Sequence, residues 1–350
     1  MKIGSLDLGY KLLVAPMAEI SDAAFRKMSK KYGAGLTFTQ MVSADGVIKN
    51  NFETLRLYSF GRDEKPIGVQ LLGNDPSILG EAVSEVSKNK PDLIDLNCGC
   101  PKDKVISKGM GASITDNPAL LAKLVRSMVD NSHGIPISVK MRIGSNHSSI
   151  NILDSVKIAE DNGASVVIVH ARTIADSYQT DSQWDWIRKA AESVSIPLVG
   201  NGSCFAPMDA KKMIDATGCD SVMIARGALG NPFYFSRYNS LIETGNDPGL
   251  PIVDELISAV IEHIDLLVKE FGEINAFEKA KKHTVWYFKN YPGISKLLEK
   301  VFSVRGIEQL KQLAWQHAEQ IKEEKLESEN IFEIDSKFKD KVLFWLSASE

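Results

Sequence analysis

Cysteine is scarce in this chain of 350 residues. Cys98, Cys100, Cys204 and Cys219 are all there are, and no two of them form a CxxC pair. That spacing excludes a disulfide framework and the usual zinc modules, so no metal centre is expected. Long apolar runs are absent as well. None reaches 18 residues, and a membrane-spanning helix is not expected. Met1 to Asp7 lack the apolar core of a secretory signal, which points to the cytoplasm. No GxGxxG follows the first apolar run, so Rossmann-type nicotinamide binding has no support. Nor does one sign of charge dominate. The 41 Lys and Arg against 45 Asp and Glu give a net charge of −4, which argues against a generally cationic protein but permits a local basic face.

What is present is a regular alternation. Short apolar runs occur at 12–15, 36–39, 67–71, 93–96, 137–141, 166–169, 197–200 and 222–225. They are brief and rich in β-branched residues, as strands buried on both faces are. Between them the pattern predicts helices over 22–32 after a Ser21 cap, 76–87 after Asp75 and 118–129 after Asn117. Others are predicted over 152–162, 184–193 and 207–216. Proline at the first helical position marks several of these starts. Eight such repeats predict an α/β fold, a (β/α)8 TIM barrel, rather than an open doubly wound sheet. The length suits a barrel domain over 1–238, a smaller C-terminal helical domain over 250–320 and an extension over 321–350.

The C-terminal ends of those runs carry polar groups: Pro16-Met17, Gln40, Gln70, Asn97 with Cys100, Lys140 and Arg142, His170 and Arg172, Asn201-Gly202, and Arg226-Gly227. In a barrel of this kind that rim is where the active site forms. Singly each has a plain explanation: a surface cation, a satisfied core imidazole, a capping amide. Their alignment on one rim predicts a site. Cys100 sits between Gly99 and Pro101 at the end of the fourth run, where a thiol can give or accept a proton. The competing reading is a small buried residue. Glycine-rich turns around Asn201-Gly202-Ser203 and Ala225-Arg226-Gly227, with one guanidinium, suit a phosphate. Lys140 on the same rim suits the pyrimidine end of a flavin, whose reduced ring carries negative charge.

These blocks, with Val69-Gln70-Leu71-Leu72-Gly73, Lys108-Gly109-Met110-Gly111-Ala112 and His170-Ala171-Arg172-Thr173, resemble the tRNA-dihydrouridine synthases. The similarity runs in order from Leu13 to about Pro292. The resemblance implies an FMN- and NADPH- (or NADH-) dependent reduction of selected uridines in tRNA. In that reaction, hydride from the reduced flavin reaches C6 of the uracil and a proton from Cys100 reaches C5. Position by position it implies FMN contacts from Pro16, Met17, Ala18, Gln70, Lys140, His170, Asn201, Gly202, Ser203, Ala225 and Arg226. It further implies that Asn97, Lys108, Arg142 and Arg172 lie around the substrate. Three positions depart from the family: Cys98, where an apolar residue is common and a second thiol could add redox sensitivity, Ser203, where an acid is common, and Asn290, where glycine is common. Because stacked uridine cannot react inside folded tRNA, the base must be extruded, at a cost of a few kcal/mol.

The segment from Phe277 to Lys311 holds eight Lys and Arg against three Asp and Glu, with Trp286, Tyr287, Phe288 and Tyr291 interleaved. It resembles the family's RNA-binding helices. Lys282, His283 and Lys289 are the expected contacts, and Trp286 is expected to be packing. From Glu319 to Glu350 the balance reverses, to nine acidic and five basic residues, yet Phe332, Phe338, Phe344 and Trp345 argue against a simple solvated tail. A monomer without membrane partners is expected. Two other readings share parts of this pattern: an FMN barrel reductase of free pyrimidines, and a barrel that binds RNA without catalysis.

Overall fold

The computed structural model describes residues 1–177 and 179–323. After an N-terminal antiparallel hairpin (2–7), parallel strands follow one another around a barrel. They are β1 (Leu13–Val14), β2 (Thr37–Phe38), β3 (Ile67–Leu72), β4 (Leu93–Cys98), β5 (Ile137–Arg142), β6 (Val166–His170), β7 (Leu198–Asn201) and β8 (Ser221–Ile224). β8 pairs with β1, Met223 opposite Leu13, and a parallel bridge from Leu13 to Leu36 nearly closes the ring. β3 and β4 are buried at every position, including the polar Gln70, Asp95 and Asn97.

The helices wrap this ring much as the sequence pattern predicts: α1 (Ala23–Lys31), α2 (Pro76–Ser87), α3 (Pro118–Asp130), α4 (Ile152–Asp161), α5 (Trp184–Ser193), α6 (Pro207–Thr217) and α7 (Phe233–Thr244). One cap differs from expectation. Asp22, not Ser21, caps α1 by accepting from the Phe25 N–H at 3.0 Å. Ser21 is engaged elsewhere, accepting from the Met17 N–H and donating to the Ala15 carbonyl, so it folds the loop after β1 back on itself.

A second apolar core is built by α8 (Val253–Phe288), α9 (Ile294–Val301) and α10 (Ile307–Lys322), which bury Leu256, Val260, Leu298 and Leu310 with Met28 and Phe233 from the barrel side. α8 breaks at Gly272, whose φ of 73° and ψ of 158° are non-helical. Several contacts fix these helices to the barrel. The Glu270 carboxylate accepts from the first N–H groups of α1, at Ala23 and Ala24 (3.2 and 2.9 Å). Lys279 Nζ donates to the Glu19 carbonyl at 2.8 Å. At the other end Gly230 lies against the α8 backbone, where a Cβ would stand 2.1 Å from the Trp286 carbonyl carbon. Residues 324–350, including the apolar tail positions noted above, lie outside the described residues.

Candidate active site

The C-terminal ends of the strands open into two adjoining clefts that share Pro16, Met17, Lys140 and His170. The first is bounded by the loops after β7 and β8, with Asn201, Gly202, Ser203, Ala225 and Arg226. The second is bounded by the loop after β4, with Gln70, Asn97, Cys100 and Ala18. The fold thus gathers the expected rim residues into one mouth. Gln40 is an exception: it lines a different cavity, between α1 and α8. Lys108 is also outside the mouth, exposed on the loop after β4, where its carbonyl accepts from Asn74 Nδ2 at 2.8 Å.

On the Cys100 side a chain of hydrogen bonds runs through the strand ends. Ser138 Oγ and Gln70 Nε2 donate to the two oxygens of the Asp95 carboxylate at 2.6 and 2.7 Å. Asn97 Nδ2 donates to Gln70 Oε1 at 2.8 Å. Asn97 Oδ1 in turn accepts from the Gly99 and Cys100 N–H groups at 3.1 and 2.9 Å. Asn97 therefore holds the turn that presents Cys100. Cys98, one residue further along the pleat, faces the opposite way and is 0% exposed. Burial, with Asp95 nearby, pushes its thiol well above the ordinary range. It is therefore a core thiol.

The cationic side is equally built. Arg172 is 2% exposed and donates through Nε to the Thr180 carbonyl (2.8 Å), and its terminal nitrogens meet His170 Nε2 (3.1 Å) and Ser203 Oγ (3.0 Å). Arg142, also 2% exposed, ties the Gly99 carbonyl (3.0 Å) to the Thr173 carbonyl (2.8 Å). Both line the clefts, yet they brace loops, whereas the sequence reading had them reaching for substrate. The reason is geometric: Arg142 reaches carbonyls of two neighbouring loops, and Arg172 a carbonyl of its own loop and a hydroxyl of the next, sets of acceptors that a guanidinium's spread of donors can satisfy together. Burial, then Arg142, Lys140, Arg172 and Arg226, hold His170 well below the ordinary imidazole range. Accepting from Arg172, the neutral ring carries its proton on Nδ1. Burial also lowers Lys140 and raises Asp95, each opposed by the other's charge.

Gly202 sits at φ +124°, where a Cβ would meet Ser182 Oγ at 2.3 Å and His170 at 3.1 Å. The loop comes this close only without a side chain. Ser203 Oγ accepts from Arg172 and donates to Ser182 Oγ at 3.1 Å. Arg226 lies over the Phe205 ring at 5.3 Å. Asp95, Met41 and Phe205 were not singled out in the sequence. For Asp95 a signal existed: two residues before Asn97 in one strand, it must share that residue's face.

The comparisons agree with this architecture. The family model described as dihydrouridine synthase matches residues 13–325. The chain belongs to the dihydrouridine synthase family. Over 315 residues it is 32% identical to a probable tRNA-dihydrouridine synthase 1 of Synechocystis sp., covering 89% of this chain and 88% of that one. It is 34% identical over 295 residues to tRNA-dihydrouridine synthase B of Pseudomonas aeruginosa, covering 84% and 88%. Among solved structures it shares its fold with histamine dehydrogenase from Rhizobium sp. 4-9 (TM-score 0.54, 14% identity, 76% of this chain and 50% of that one). An old yellow enzyme homologue from Zymomonas mobilis has the same fold (TM-score 0.51, 11% identity, 72% and 94%). Among the described residues no helix is long and apolar enough to cross a membrane.

On the helical side the expected RNA contacts divide. Lys282 is half-buried and borders a cleft with Glu19 and Lys279. His283 is 3% exposed, its ring 4.2 Å from that of His263 and 5.0 Å from that of Trp286. Burial first, then His263 and nearby lysines, hold it well below the ordinary range. A neutral core imidazole has no charge to offer a phosphate, so His283 as a contact is corrected to packing. Lys289 is corrected too. Its Nζ donates to the Leu229 carbonyl at 2.7 Å, and burial beside Arg226 lowers it to about 8. It joins α8 to the loop after β8.

Proposed function

We propose that the protein is a tRNA-dihydrouridine synthase that uses FMN and NADPH or NADH to reduce the C5=C6 bond of particular uridines in tRNA, acting in the cytoplasm as a monomer. The observation that carries this reading is the meeting, in one barrel mouth, of the Cys100 loop with a cationic glycine-containing cradle, in a chain of this family. The barrel over 1–238 is the catalytic domain in this reading, and the helices over 250–320 are the tRNA-binding domain.

The mouth suits FMN on its own features. Gly202 admits close backbone approach, Ser203 and Arg226 flank it for a phosphate, Lys140 offers a cation deeper in, and Met17 and Ala18 add apolar wall. Gln70, His170, Asn201, Pro16 and Ala225 complete the lining. When bound, FMN supplies the hydride. The chain supplies the rest. Cys100 holds the proton that goes to C5, which requires a neutral thiol rather than a nucleophilic thiolate. Lys140 offsets negative charge that accumulates as the ring is reduced. His170, neutral, adds no charge to a wall already held by Arg172. Lys282 and Lys108 lie outside the clefts, where they can meet phosphates and offset the cost of extruding the base.

Lys140→Ala should leave the fold intact but weaken FMN retention or slow flavin reduction, read by absorbance and stopped-flow with NADPH. A variant that keeps wild-type flavin content and reduction rate contradicts the role. Lys282→Glu should lower tRNA affinity and reduce the salt dependence of binding by about one unit of slope. Lys289→Glu should instead destabilise the chain, because its ammonium joins helix and barrel. Filter binding across a salt series and thermal melts separate the two.

A further inference from the structure

We infer that Asp95 is a positioning residue for Cys100, acting through the hydrogen-bond relay Asp95–Gln70–Asn97 rather than through its charge. The inference deepens the reading above and rests on it only for its activity arm. Asp95 is 0% exposed, and its two oxygens are taken by Ser138 Oγ and Gln70 Nε2. A primary amide has one accepting and one donating end. Ser138 and Gln70 donate to the two Asp95 oxygens, so Gln70 turns Nε2 toward Asp95 and Oε1 toward Asn97. Asn97 must then turn Nδ2 toward Gln70, which leaves Oδ1 for the Gly99 and Cys100 N–H groups. One buried carboxylate thus sets the orientation of two amides, and the second fixes the turn that carries the thiol. No alternative orientation satisfies every member, and that is what gives such a network its rigidity.

A charge role is the competing reading, since Asp95 and Lys140 lie on adjoining strands and their opposite charges interact. The two readings differ in what asparagine does. Asp95→Asn keeps an oxygen for Gln70, and its Nδ2 can donate to Ser138, whose hydroxyl can accept. The relay therefore survives while the charge is gone. Asp95→Ala removes both.

The test is amide hydrogen exchange of the 98–101 segment, with dihydrouridine formation measured in parallel. Asp95→Ala should raise exchange at Gly99 and Cys100 and lower turnover about 10²-fold, the scale of a misplacement near 1 Å. KM for tRNA should be unchanged, and Asp95→Asn should restore both exchange and most of the turnover. Exchange unchanged in Asp95→Ala, or an Asp95→Asn variant as impaired as Asp95→Ala, overturns the relay. If Asp95→Ala does not fold, Gln70→Leu cuts the relay one link further on, and it must raise exchange at the same two amides or the inference fails. Exchange needs neither flavin nor tRNA, so a wild-type protein inactive on tRNA would refute the proposed function without touching this result.

Discussion

Cys100→Ala should depress dihydrouridine formation about 10²-fold or more, the usual scale for losing a general acid, while FMN still binds and is still reduced by NADPH. The expectation follows from where the fold puts the thiol. Cys100 borders the same cleft as Lys140 and His170, on a turn held by Asn97. Nothing in the cradle after β7 and β8 depends on it, so the reductive half of the cycle has no reason to change. Cys98→Ala serves as the control. That side chain packs in the barrel core, and its loss should cost about 1 kcal/mol of stability with little effect on turnover. Equal losses of turnover from both substitutions would show that the acid is not Cys100. Mass spectrometry of digested tRNA reads the difference.

Gly230→Ala should separate the two parts of the molecule. Gly230 has φ +59°, and a Cβ there would lie 2.1 and 2.2 Å from backbone atoms of Trp286 and Tyr287. The obstacle is main chain within a helix, so it cannot swing aside as a side chain would. Overpacking of this kind costs about 1–3 kcal/mol and the left-handed conformation about 1–2 kcal/mol more for a residue with a Cβ. The expected outcome is a lower melting temperature and weakened tRNA binding, with flavin still bound by the barrel. If Gly230→Ala melted and bound tRNA like wild type, α8 would not be held at this point.

How much of this was legible in the residues depended on whether local pattern or long-range placement decided the matter. The strands were legible because runs such as 93–96 are buried on both faces, and helix starts such as Pro76 after Asp75 carry their own punctuation. The Ser21 cap was misassigned because two adjacent residues could both cap, and only the fold of the loop after β1 assigns Ser21 to Met17 and Ala15. Arg142 and Arg172 were placed on the correct rim, but Arg142 is spent on the Gly99 and Thr173 carbonyls, distant in sequence, and Arg172 on the Thr180 carbonyl of its own loop and on Ser203 of the next. His283 and Lys289 sit in a basic, aromatic segment whose composition is equally that of a solvated face and of a helix packed on a barrel. Which side is buried is decided by the half of α8 beyond Gly272 packing on Gly230 and folding back on His263 of its own first half.

The most direct measurement is incubation of the purified protein with NADPH and an unmodified tRNA transcript, followed by mass analysis of the nucleosides. The account predicts a protein that carries FMN and a tRNA that gains two hydrogens at particular uridines, with the gain largely lost in Cys100→Ala. A protein that neither carries nor binds FMN, or a wild type that leaves every uridine unchanged across a full set of tRNAs, would contradict it.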